Sequence, residues 1–225
     1  KSVDESQFLN ELKTKIQKLQ TNDLYNLLSS LPINDIITTN YDYLIEKSLF
    51  TNFKIEYSPK DETKYRIFTN NESGKKKVWH IHGEVNRLNT IVLGQKMYSD
   101  VLGRYTKFLE TDINEVKKDS WIKKLFIDEI HIIGCSLNYS EITIWYILNH
   151  RARMISNNEI SKNRIIYYIN TNDYSSIETL EAFKSFLNAH YIETVQSNDD
   201  YEKFYYEALT TLSDNLVIES KVNDK

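Results

Sequence analysis

Cysteine, proline and glycine are all scarce in this chain of 225 residues, which has one, two and five of them respectively. With Cys135 as the lone cysteine, no disulfide closes within the chain and a cysteine-rich zinc module is excluded, so no zinc is expected. The glycines stand at 74, 83, 94, 103 and 134, so the chain contains no Gly-x-Gly. Long apolar runs are missing as well. No stretch reaches the roughly 18 residues that a membrane-spanning helix needs, and there is no signal-peptide pattern, so a soluble cytoplasmic protein with no membrane partner is expected. Neither sign of charge dominates, with 28 basic and 32 acidic residues, and no nucleic-acid partner is expected. The basic run Lys75-Lys76-Lys77 follows Asn71-Glu72-Ser73-Gly74 and reads as a solvated loop.

What remains is a chain rich enough in apolar residues, 40% of the total, to bury one sizeable core. Strand-like and helix-like segments alternate along it. Phe8 to Leu31 has helical spacing up to the break at Leu31-Pro32. A short strand over Asp35 to Thr38 leads to a helix from about Tyr41 to Phe50, then a strand over Phe53 to Tyr57 closed by Pro59. The polar stretch from Lys60 to Lys77 reads as loop with some strand. Val78 to Ile81 is a strand, Thr90 to Leu93 a further candidate, and 95 to 127 is helical in pattern. Ile130 to Ile133, Arg164 to Ile169 and Tyr191 to Val195 read as strands, separated and followed by helices over Glu141 to Ile155, Ile177 to Leu187 and Tyr201 to Leu212. Continuous Ile/Val runs between helices indicate parallel strands covered on both faces. The expected fold is a doubly wound, Rossmann-like α/β sheet forming a single domain over 1–225.

Ligands of such sheets bind beyond the carboxyl ends of the strands. Four strand ends carry suitable residues: Thr38-Thr39-Asn40-Tyr41-Asp42, His80-Ile81-His82-Gly83, Gly134-Cys135-Ser136-Leu137-Asn138, and Asn170-Thr171-Asn172-Asp173. Strand alternation puts His80 and His82 on one face. Each residue also has an ordinary use. Asn40 and Asp42 suit a helix cap, and His82 suits a hydrogen-bonded core position. His80 suits packing beside Trp79. Gly134 and Asn170 suit turns, and Cys135 suits a small buried hydrophobe. Capping accounts for one end and turn chemistry for another, but neither accounts for all four together.

In order, residue type and spacing these ends resemble the sirtuin-like NAD-consuming family. The resemblance covers roughly Leu31 to Leu212 and is closest to the zinc-free branch of bacterial defence proteins. It implies NAD as substrate, with nicotinamide and ADP-ribose as products and anti-phage defence as the setting. Asn40 and His82 would be the catalytic pair, and Asp42 would hold the nicotinamide amide. Thr38 and Thr39 would shape the same wall. Gly134, Cys135 and Ser136 would line ribose and phosphate, and Asn170 would contact the adenosine ribose. It also implies a partner domain or homo-oligomer that controls activity. The family's Gly-Ala-Gly-x-Ser turn, which cradles pyrophosphate at a helix N-terminus, and the strand before it have no counterpart among these residues, so the expectation is either a fragment of a longer protein or a domain without that cradle. Family members also often carry an acidic residue nearer to the Ser-Leu pair than Glu141.

Two other readings start from the same residues. His80 and His82 at a strand end suit a metal-dependent barrel hydrolase, but His131, His150 and His190 do not fall at strand ends in that pattern. A degenerate domain that binds NAD or ADP-ribose as a sensor, or contacts a partner, would retain the strand ends without turnover.

Overall fold

The computed structural model describes residues 5–49, 54–56, 66–68, 76–110, 120–138 and 140–223. They form two compact units, Lys1–Met97 and Tyr98–Lys225, of mixed α/β architecture with parallel strands flanked by helices.

The first unit opens with helices α1 (Glu5–Ile16) and α2 (Asp23–Ser30). The helix-patterned stretch is therefore two helices. α2 stops where Leu31-Pro32 removes the next donor, and Lys76 donates from Nζ to the carbonyls of Ser29 (2.8 Å) and Leu31 (2.7 Å). Part of the basic run thus caps a helix C-terminus, where a cation complements the helix dipole. Lys75 lies outside the described residues.

The sheet of this unit has the order β1-β4-β3-β2, built from β1 (Asp35–Thr38), β2 (Lys54–Glu56), β3 (Arg66–Phe68) and β4 (Lys77–His80). β1 and β4 are parallel, in the register Ile36↔Val78, Ile37↔Trp79 and Thr38↔His80. The Trp79 indole N–H also donates to Asp35 (2.8 Å) at the start of β1. β3 runs antiparallel to both β2 and β4, so the polar stretch contributes an edge hairpin; most of residues 57–75 lie outside the described residues. Helix α3 (Leu44–Leu49) lies between β1 and β2 in sequence. Tyr43, Ile45, Leu49, Val78 and Val85 form the core of this unit, with Ile16, Tyr25, Leu28 and Ile36 packed against it.

In the second unit, β5 (Ile130–Ile132), β6 (Ile165–Asn170) and β7 (Glu193–Ser197) form a parallel sheet in that order. Their connections contain α6 (Ile142–Ser156) and α7 (Ile177–Ala189), and α8 (Tyr201–Asn223) follows β7. Every residue of β6 is buried, and its alternate side chains meet different helices. Ile166 and Tyr168 pack with Phe204 and Ala208 of α8, while Tyr167 meets Phe183 of α7 edge to face. A central strand covered on both faces carries no polar alternation, which accounts for its unbroken apolar run. The segment from 95 to 127 holds two helices, α4 (Gln95–Leu109) and α5 (Trp121–Ile127), with 111–119 outside the described residues.

Candidate functional site

Because Thr38 and His80 are paired, the two polar strand ends of the first unit emerge side by side. The pairing continues one step past the strands, with Ile81 donating its N–H to the Thr38 carbonyl (3.1 Å). Beyond that point the β1 end is fixed residue by residue. Thr38 Oγ1 accepts from the Asn40 N–H (3.0 Å), a local turn that hydroxyl side chains favour. Asp42 Oδ1 accepts from the Leu44 N–H (2.9 Å), so this carboxylate stabilises the start of α3 and the helix begins three residues later than its sequence pattern predicts. Between them Asn40 is exposed, and among the described residues its carboxamide makes no hydrogen bond. Its backbone is held while its side chain faces solvent.

The β4 end is folded in. Gly83 adopts φ +88°, and a Cβ there would lie 2.1 Å from the Thr90 carbonyl oxygen. Only glycine allows both the left-handed backbone and that approach. The approach lets residues 84–92 return across the strand end. Val92 donates to the His82 carbonyl (2.8 Å) and Val85 to the Tyr41 carbonyl (2.8 Å). The Tyr41 hydroxyl donates to the Val92 carbonyl (3.0 Å). The stretch Thr90 to Leu93, a candidate strand from its composition, is the end of a 3-10 turn followed by extended chain. It runs against the backbone of 82–83, and His82 is 3% exposed. Burial pushes the His82 pKa down to about 4, so the imidazole is neutral at physiological pH.

His80 is structural in a stronger sense than packing beside Trp79. Its Nδ1 lies 2.8 Å from the Asn40 carbonyl oxygen and its Nε2 2.6 Å from Glu46 Oε1. Burial by itself would lower the pKa of His80, but the hydrogen bond and charge of Glu46 outweigh it, helped by the Asn40 carbonyl and Glu84, and leave it raised. Glu84 in turn accepts from the Tyr43 hydroxyl (2.6 Å), and the Tyr43 ring stands edge-on to His80 at 5.5 Å. Glu46 and Glu84 are fully buried, and each has one carboxylate oxygen without a hydrogen-bond partner.

Neither carboxylate stood out in the sequence, where Glu46 reads as a polar helix residue. The available signal was angular. At about 100° per residue, Glu46 falls roughly 60° from Leu49, on the margin of the apolar stripe.

In the second unit, Gly134, Cys135 and Ser136 follow β5. Gly134 has φ +72°, and a Cβ there would press on the Tyr205 ring at 2.8 Å. The Cys135 carbonyl accepts from the Tyr167 hydroxyl (2.8 Å). Burial raises the pKa of the Cys135 thiol, so the protonated form is favoured. Ser136 is exposed. Leu137, with φ 45°, is buried, and its carbonyl accepts from the Trp145 indole N–H (2.9 Å). Asn170 ends β6, next to β5. It is largely buried and hydrogen-bonded at both ends of its carboxamide, Oδ1 accepting from the Asn172 N–H (3.0 Å) and Nδ2 donating to the Asp199 carbonyl (3.1 Å). Glu141 has its pKa raised by burial.

The structure thus places Thr38, Thr39, Asn40 and Asp42 at the carboxyl end of β1 and His82 just past the end of the adjacent β4 in the first unit, and Gly134, Cys135 and Ser136 after β5 with Asn170 at the end of the adjacent β6 in the second. Among the described residues no group of three or more His, Cys, Asp or Glu side chains is arranged to hold a metal ion. No helix among them is long and apolar enough to cross a membrane.

Parallel strands whose carboxyl ends carry Thr-Thr-Asn-Tyr-Asp and His-Gly define a sirtuin-type α/β protein. The SIR2-like domain model matches residues 34–195, and the chain belongs to that family. It is similar to the NAD(+) hydrolase ThsA of Enterococcus faecium, with 32% identity over 82 residues. That match covers 36% of this chain and 17% of the relative, so the chain spans a small part of the relative's length.

Proposed function

We propose that this protein hydrolyses NAD at the nicotinamide–ribose bond, with Asn40 and His82 as the catalytic pair. The observation that carries the reading is the β1–β4 register. It sets a solvent-facing carboxamide, Asn40, and a buried neutral imidazole, His82, on adjacent strand ends.

The chemistry explains why those two groups suit the reaction. When the bond from the ribose anomeric carbon to the pyridinium nitrogen breaks, the electron pair leaves with nicotinamide, which becomes neutral. Positive charge develops on the sugar. A protonated histidine beside it would oppose that charge, whereas His82, held unprotonated by burial, offers a lone pair to a ribose hydroxyl or to water. Asn40 supplies a donor and an acceptor, enough to orient a water and a ribose hydroxyl together. The water oxygen then bonds to the anomeric carbon and its proton passes to His82 and on to solvent, giving ADP-ribose. General-base assistance of this kind is typically worth about 10²–10⁴-fold.

In the same reading Asp42 holds the nicotinamide amide through the carboxylate oxygen that Leu44 does not occupy, and Thr38 and Thr39 shape the wall beside it. Gly134, Cys135 and Ser136 contact ribose and phosphate, and Asn170 contacts the adenosine ribose. NAD depletion in bacterial defence, in the cytoplasm and under control of a partner domain or self-association, is the setting that fits the family and the relative's activity.

The test is to incubate the purified chain with NAD and quantify free nicotinamide, alongside Asn40→Ala and His82→Ala. Release by the unaltered chain and its loss in both variants is the expected result. Release that survives both substitutions refutes the assignment, and binding of NAD or ADP-ribose without release would make the domain a sensor.

A further inference from the structure

Asn40 reaches solvent on a segment without regular secondary structure, yet the residue beneath it is tied into one of the most buried polar clusters of the first unit. A carbonyl oxygen only accepts, so His80 Nδ1 must carry a proton toward Asn40. Its Nε2 faces a carboxylate oxygen at 2.6 Å, an arrangement that is repulsive unless a proton lies on that line too. His80 and Glu46 together therefore hold one proton more than a neutral imidazole and a free carboxylate would. Tyr43 and Glu84 face the same ring. Buried carboxylates with unpartnered oxygens are costly, and apolar residues would fill the space at no such cost. The cluster does what apolar packing cannot, which is to fix one carbonyl in space by a charge-assisted hydrogen bond.

We propose that His80 and Glu46 are positioning residues: a proton-holding clamp on the Asn40 carbonyl that keeps its carboxamide in the orientation turnover requires. The proposal rests on the assignment of Asn40 and His82 as the hydrolytic pair. Removal of the shared proton leaves the imidazole with one N–H for two acceptors, Asn40 and Glu46, and one of the two contacts must break. Activity therefore acquires an alkaline limb that belongs to His80, a group that never touches substrate.

The test combines kinetics with imidazole and amide NMR on the full chain. In the unaltered protein both His80 ring nitrogens are expected to be protonated at neutral pH. As pH rises, loss of one proton should move the Asn40 and Tyr41 amide resonances over the same range in which nicotinamide release falls. His80→Asn keeps a donor where Nδ1 was and should retain activity to within roughly tenfold. His80→Gln reaches toward Glu46 but abandons Asn40, and should lower kcat about 100-fold with little change in KM, the size of effect expected from a misplaced catalytic group. Glu46→Gln lets a neutral imidazole satisfy both neighbours, so it should keep neutral-pH activity to within about tenfold and lose the alkaline limb. An unchanged kcat in folded His80→Gln, an unchanged alkaline limb in Glu46→Gln, or Asn40 and Tyr41 amides that ignore the titration of His80 would each overturn the proposal. If the unaltered chain releases no nicotinamide, the hydrolase reading fails, and the amide titration still decides whether the clamp exists.

Discussion

The Nδ1 atom of His80 lies 2.8 Å from the carbonyl oxygen of Asn40, which couples the end of β4 to the turn that follows β1. The same strand delivers His82 two residues later, so one four-residue strand supports both halves of the proposed catalytic pair.

The two histidines give folding stability opposite pH dependences. The pKa of His82 is depressed in the folded state to about 4, so between that value and its ordinary value near 6.5 the unfolded chain binds the extra proton. Stability should fall as pH drops through this window, by up to about 3 kcal/mol for a depression of this size. His80 is raised, so its contribution is fully present below about pH 6.5 and is lost as pH rises through its folded-state pKa. Urea midpoints measured across pH should pass through a maximum, and His82→Gln should flatten the acid side only.

Gly83→Ala should be among the most damaging single substitutions in the first unit. The added Cβ would meet backbone, the Thr90 carbonyl at 2.1 Å, at φ +88°, so no side-chain movement relieves it. A cost of about 3 kcal/mol or more is expected, visible as a fall in Tm of roughly 6–12 °C for a chain of this size. Gly134→Ala meets the ring of Tyr205, which can swing aside, and should cost only about 1 kcal/mol, chiefly for its backbone conformation.

Arg151 supplies a third test, in the second unit. It is fully buried in α6 and donates to Asn163 Oδ1 (2.7 Å), the Asn163 carbonyl (2.7 Å) and the His190 carbonyl (3.1 Å). Burial lowers its pKa to about 10, leaving it charged at neutral pH among neutral acceptors. Asn163 passes the connection on to the carbonyls of Leu125 (3.2 Å) and Asp128 (2.6 Å). Arg151→Met keeps most of the volume but leaves three acceptors unmet, and should cost about 3 kcal/mol. In a double-mutant cycle with Asn163→Ala the losses should be strongly non-additive, since both belong to one network.

Much of this was legible from the chain because the informative elements are locally determined. β1, β4, β5 and β6 are short segments rich in Ile, Val or aromatic residues, and each ends at or just before a polar or small residue, so the strand ends that carry Asn40, His82, Gly134 and Asn170 can be read from the local pattern. The hidden parts depend on distant partners. β3 is three residues within a polar stretch, and nothing local distinguishes it from loop until β2 and β4 hydrogen-bond to it. Glu46, Glu84 and Arg151 are charged residues, which are rarely buried without partners, and only the fold reveals that His80, Tyr43 and Asn163 meet them inside. His80 was visible as a buried strand residue, but its two hydrogen bonds run to residues 40 and 34 positions away, beyond the reach of any local pattern.

Hydrolysis at the nicotinamide–ribose bond is read out by incubating the chain with NAD in water enriched in oxygen-18 and analysing the products by mass spectrometry. The expected result is one nicotinamide released for each ADP-ribose formed, with the heavy oxygen on the anomeric carbon. NAD recovered intact at a protein concentration comparable to its own, over hours, would mean that Asn40 and His82 do not form a hydrolytic pair in this chain.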